Sequence, residues 1–134
     1  MICKGTVLPI RKNKGDAGID FFAPYEIELA PGRWTDIDTG ISLEDGDLAE
    51  GTCLMLVPRS GLGVKYGTRF RNTVGIVDRQ YRDPIRACMT SDVPLRIHQG
   101  ERFMQGIIVQ FGTFPWEQEP EHERQGGFGS TGLK

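Results

Sequence analysis

A chain of 134 residues with 38% hydrophobic content makes one domain with a modest core. Its 16 basic residues against 18 acidic ones exclude a general nucleic-acid coat, which needs a basic surface to displace counterions; a free nucleotide needs only a local positive patch. No apolar run approaches the roughly 20 residues that cross a bilayer, and residues 1–4 lack a signal-peptide core.

Taken in chain order, short apolar runs at Ile19–Phe22, 26–29, 40–43, 53–57, 73–77, 85–89, Leu95–Ile97 and 107–111 read as strands, each bounded by Gly, Pro, Asp or Asn. Short strands with turn signals between them predict an all-β sandwich or barrel. Helical periodicity is confined to 61–66, with Ser60 as the expected N-cap. The runs 73–77 and 85–89 flank a polar turn, which predicts a β-hairpin. From about Pro115 the chain turns polar and acidic, then glycine-rich over 126–132. The expected organisation is a β domain over 1–115 and a mobile C-terminal arm over 116–134. Cys3, Cys53 and Cys88 are odd in number and widely spaced, as reduced thiols of a cytoplasmic protein would be. With only His98 and His122 beside them, no zinc site is expected.

Five clusters carry chemistry. In the tail, Gly127-Phe128-Gly129-Ser130-Thr131-Gly132 formally spells a dinucleotide fingerprint, but no strand precedes it and only Leu133 and Lys134 follow, so that reading is rejected. What remains is glycine backbone able to converge N–H groups on an anion, hydroxyls at Ser130 and Thr131, and Phe128 able to stack on a base. A plain Gly/Ser tail is the alternative. Pro58-Arg59-Ser60-Gly61-Leu62 sets an arginine fork and a helix start after an apolar strand, a geometry that suits phosphate; an ordinary capped turn is the alternative. In 72–83, Asp78 is placed to act as a general base on water, and Tyr81 to lay its ring against a sugar. An aspartate bonding its own turn would look the same. Asp16 and Asp20, with Gly18 between them, suit a metal or its waters, or simply a solvated turn. The fifth cluster, 100–105, says little by itself.

The order of the five is more specific than any one of them. Asp16-Ala17-Gly18-Ile19-Asp20, Pro58-Arg59-Ser60-Gly61-Leu62, Gly75-Ile76-Val77-Asp78-Arg79-Gln80-Tyr81-Arg82, Arg102-Phe103-Met104-Gln105 and Gly126 to Gly132 resemble, in sequence, the five signature motifs of the trimeric dUTPase family. The resemblance covers nearly the whole chain. It implies a jelly-roll-like β-barrel, a homotrimer with active sites at subunit interfaces, and hydrolysis of dUTP to dUMP and diphosphate, which limits uracil in DNA and supplies dUMP for dTMP synthesis. By position, Asp78 would activate the water that attacks the α-phosphorus. Tyr81 would pack on the deoxyribose and exclude a 2′-hydroxyl. Backbone at Gly75 and Val77 would pair with uracil, with Asn72 supporting the pocket. Arg59, Ser60, Gly61 and Gln105 would hold phosphate oxygens, and Asp20 would contact waters of a Mg²⁺ carried mainly by the triphosphate. From the arm, Phe128 and Gly129 would cover the base, Ser130 and Thr131 would meet the terminal phosphates, and Arg124 would reach the γ-phosphate.

The chain departs from the family pattern in three places. Asp83 stands where glycine usually follows Tyr-Arg, Met104 replaces a common alanine, and Arg124 lies one residue closer to Phe128 than the family's arginine. A dCTP deaminase shares this fold and is the nearest enzymatic rival. A nucleotide-binding module without turnover is the non-enzymatic one.

Overall fold

The structure is a computed structural model and describes residues 1–117. The expected arm from residue 118 on, with Arg124, Phe128, Gly129, Ser130 and Thr131, lies outside the described residues. The described chain is all-β apart from one short helix. Its strands are β1 (Ile2–Cys3), β2 (Ile19–Phe22), β3 (Ile27–Leu29), β4 (Thr35–Asp38), β5 (Ile41–Ser42) and β6 (Thr52–Pro58), then helix α1 (Ser60–Tyr66), followed by β7 (Arg69–Phe70), β8 (Gly75–Val77), β9 (Arg86–Thr90), β10 (Leu95–Ile97) and β11 (Arg102–Gln110).

Pairing is antiparallel throughout and divides the strands into a four-stranded sheet, β2-β11-β6-β8, a three-stranded sheet, β4-β9-β7, and the two pairs β1-β5 and β10-β3. The result is jelly-roll-like. One core draws on both larger sheets, with Phe21, Leu54, Leu56, Phe103 and Met104 from the first and Ile37, Ala87 and Met89 from the second. Each fully buried Leu, Ile, Phe or Met contributes about 1.5–3 kcal/mol of apolar transfer. Strand β4 shows how little sequence signal a strand needs: Ile37 is buried between exposed Asp36 and Asp38, so one apolar side chain holds it.

The outer face of the four-stranded sheet positions the site. Register places Ile76 beside Met55 and Met55 beside Ile107, forming a partly exposed apolar row. Two residues along the same strands, on the same face, Val57 pairs with Gln105 and Gln105 with Asp20.

Two expectations are corrected here. The hairpin does not form, because β8 pairs with β6 while β9 pairs with β4 and β7. Ile85 draws the chain away: its N–H donates to the Ile41 carbonyl at 2.8 Å, and its carbonyl accepts from the Thr39 N–H at 3.0 Å. Nor is Ser60 the N-cap. Arg59 holds that position in an extended conformation (φ −68°, ψ 140°), without a side-chain cap bond, and Ser60 is the first helical residue. At the other end, Gly67 closes the helix in the left-handed region at φ 66°.

Candidate functional site

A cavity of about 430 Å³ opens where β2, β11 and the end of β6 meet, lined by Lys12, Asp16, Gly18, Asp20, Arg59, Arg102 and Gln105 among others. It gathers three residues expected to act together, Asp20, Arg59 and Gln105, from segments far apart in sequence. Asp20 carries the local negative charge, and both its oxygens face arginine: Oδ2 accepts from Arg102 Nη1 at 3.0 Å, and Oδ1 lies 3.5 Å from Arg59 Nε. Its side chain is only 16% exposed, so these cations offset the cost of holding a carboxylate at the sheet face. Gln105 is fixed by donating Nε2 to the Pro58 carbonyl at 3.1 Å. Gly18 permits a close approach, since an added Cβ would overlap the Gln105 side-chain oxygen and push it aside.

Arg102, which opens the fourth motif, has Asp20 as its partner. Asp16 lines the same cavity as Asp20. Its carboxylate accepts from the Asn13 N–H at 3.1 Å and closes its own turn. Among the described residues no group of three or more His, Cys, Asp or Glu side chains is placed to hold a metal.

A second cavity, of about 400 Å³, lies between β6/β8 and β9. Leu56, Phe70 and Ala87 form its apolar floor, and Asn72, Gly75, Arg71 and Cys88 stand around it. Asp36 and Arg86 also line it, joined as an ion pair, and the carboxylate raises the Arg86 pKa above its usual value. Strand β8 is the last of its sheet, and its first residue, Gly75, lines this space. Val77 points its side chain into the core, at 7% exposure, which leaves only its backbone to contact a ligand. At the entrance to β8, Thr73 adopts φ 69°, a conformation costly for a β-branched residue.

Asp78 and Tyr81 occupy the connection between the two sheets and line neither cavity. The Tyr81 N–H donates to the Asp78 carbonyl at 3.1 Å, and its hydroxyl donates to the Pro84 carbonyl at 3.1 Å. Arg79, donating to the Leu48 carbonyl at 3.0 Å, anchors this turn from behind. Asp78 lies close enough to Cys53 on β6 to be felt there: burial pushes the Cys53 thiol pKa up, and the Asp78 carboxylate adds to the shift. Ser60 and Gly61 stand at the start of α1. Within one chain the expected site residues therefore fall into separate groups.

Residues 5–132 match the model of the dUTPase family. Deoxyuridine 5'-triphosphate nucleotidohydrolases are similar along nearly the whole chain. That of Corynebacterium diphtheriae is 36% identical, covering 94% of this chain and 86% of the relative. That of Leifsonia xyli is 37% identical, covering 93% and 85%. Among solved structures, the dUTPase of Staphylococcus bacteriophage 80alpha with dUPNHPP superposes with a TM-score of 0.75 at 24% identity, covering 99% of this chain and 96% of that one. The dUTPase of phage phi11 of S. aureus gives 0.72 at 21%, over 91% and 94%. These last two speak to the fold.

Proposed function

The chain belongs to the dUTPase family of nucleotide hydrolases, and from that premise we propose that it cleaves dUTP to dUMP and diphosphate in an active site completed by neighbouring copies of itself. The observation that carries the reading is the convergence of Asp20, Arg59 and Gln105, from three of the five motifs, on one polar cavity.

In this reading Asp78 holds a water and takes its proton as the oxygen attacks the α-phosphorus. The bond from that phosphorus to the bridging oxygen breaks, and diphosphate leaves. Arg59 and Gln105 orient the phosphate chain, with backbone N–H groups from Ser60 and Gly61. The second cavity takes the base: its apolar floor and the open edge of β8 at Gly75 and Val77 suit a flat ring with a hydrogen-bonding rim, and Asn72 closes one side. Such a pocket rejects cytosine because its own buried polar groups would go unpaired. Tyr81 supplies the ring against the sugar. From outside the described residues, Phe128, Gly129, Ser130, Thr131 and Arg124 would cover the base and the terminal phosphates.

A magnesium ion fits the donor set in one way. Asp20 is a single carboxylate engaged by two arginines, so it can accept from the ion's waters but cannot cage it, and the phosphate oxygens must supply the direct contacts. Bound there, Mg²⁺ would neutralise charge on the phosphate chain.

Three copies acting together account for the separation of the two groups. The apolar row Ile76, Met55 and Ile107 lies on the same sheet face as Asp20 and Gln105, and Ile76 is 56% exposed. A second chain seated on that row would bring its own Asp78 segment to this cavity.

The test is diphosphate release from dUTP with Mg²⁺, beside dCTP, dTTP and UTP, with an Asp78→Asn control. Release from dUTP alone, lost in the control, is the expected result. Folded protein that leaves dUTP intact rejects the reading, and ammonia release from dCTP would replace it with a deaminase.

A further inference from the structure

We infer that Lys12 is a further binding residue for the nucleotide, one that grips the β and γ phosphates; the inference rests on the phosphate cavity proposed above. The cavity holds three cations and two carboxylates, counting Lys12, Arg59, Arg102, Asp16 and Asp20. Two of the cations, Arg59 and Arg102, face Asp20 and share its charge. Among the described residues no carboxylate pairs with Lys12. The charge of Lys12 is unshared within the cavity and adds to that of Arg59 on an incoming anion.

The backbone holds Lys12 at the rim. Reciprocal hydrogen bonds between Ile10 and Asp20, at 3.1 and 2.7 Å, close the base of the loop that carries it. Within the loop, Arg11 donates to the Asp16 carbonyl, and Asn13 and Asp16 exchange bonds of 3.1 Å. The clamped loop ties the lysine's backbone to the same Asp20 that lines the cavity, so only the side chain is left to order when the anion arrives. In the proposed assembly the attacked phosphorus faces the Asp78 that a second chain brings, while Lys12 belongs to the chain that forms the cavity, so the phosphates left to it are those of the departing diphosphate. A flexible point charge suits that task, because the leaving group gains charge as the bond breaks.

The experiment is calorimetric titration of the full chain with Mg²⁺ and three probes: dUMP, inorganic diphosphate, and the α,β-imido analogue of dUTP. Lys12→Ala should weaken the analogue and diphosphate by roughly tenfold, the size of one charge-assisted hydrogen bond, and leave dUMP unchanged. Lys12→Arg should restore most of the loss. Lys14→Ala, a cation of the same loop that does not line the cavity, should bind all three as the unmodified chain does. Equal weakening of dUMP, or no weakening of the analogue and diphosphate, overturns the assignment of Lys12. An unmodified chain that binds neither dUMP nor the analogue overturns the proposed function, and the assignment with it.

Discussion

Asp20 on β2 and Arg102 at the first residue of β11 are joined at 3.0 Å across 82 residues of sequence. The contact sets the direction of the Asp20 carboxylate, because Arg59 alone approaches it only at 3.5 Å. Arg102 is thus a positioning residue for whatever Asp20 contacts.

Arg102→Ala should leave the fold intact and free Asp20 to rotate. We expect kcat/KM for dUTP to fall about tenfold, near 1.4 kcal/mol of transition-state stabilisation, and the Mg²⁺ concentration for half-maximal rate to rise. Steady-state kinetics over a Mg²⁺ series checks both; an unchanged Mg²⁺ dependence would break the link between Arg102 and the ion.

Gly18→Ala tests the close approach of β2 to Gln105. The atom a new methyl would meet is the far end of a flexible side chain, so the expected outcome is a displaced Gln105 and a nearly unchanged melting temperature. Nucleotide affinity should drop by about tenfold, the scale of one hydrogen bond to a charged group. Loss of folding instead would mean that Gln105 cannot move.

Gly106→Ala places the same methyl where nothing can yield. Its Cβ would stand 2.8 Å from Leu54 Cδ1 and 3.1 Å from Phe21 Cε1, both in the packed core. Overpacking of this kind costs about 1–3 kcal/mol, so the urea midpoint should fall while residual activity per folded molecule persists.

Cys53 reports on Asp78. Burial and then the Asp78 carboxylate raise its thiol pKa, so at a given pH it holds less thiolate than an ordinary cysteine. Asp78→Asn removes the second cause and should move the pKa down. In a Cys3→Ser, Cys88→Ser background, the alkylation rate of Cys53 plotted against pH should then rise at lower pH. Superimposable curves would show that Asp78 does not face Cys53.

Much of the fold was legible where strands carry apolar alternation. Ile19–Phe22 and Leu95–Ile97 were read with their bounds, and 53–57 falls inside Thr52–Pro58. Strands β1 and β7, of two residues each, leave no period to read, and β4 has one apolar residue. The start of β11 was missed because Arg102, Gln105 and Gly106 break the apolar run, and they do so where the strand lines the cavity or packs close. The expected hairpin failed because both halves are good strands and nothing local tells a strand which partner to choose. The polar cavity's motif residues could be named from their pattern. Lys12, Asp36 and Arg86 could not, since only tertiary contact brings them to a cavity.

The division of β8 and β9 between two sheets has a consequence for selectivity. The apolar cavity is walled by residues of both sheets, while Ile85 and Met89, buried in the core that the sheets share, do not line it. On the base-binding role proposed for this cavity, a change of volume in the core should retune discrimination between bases from out of reach of the ligand.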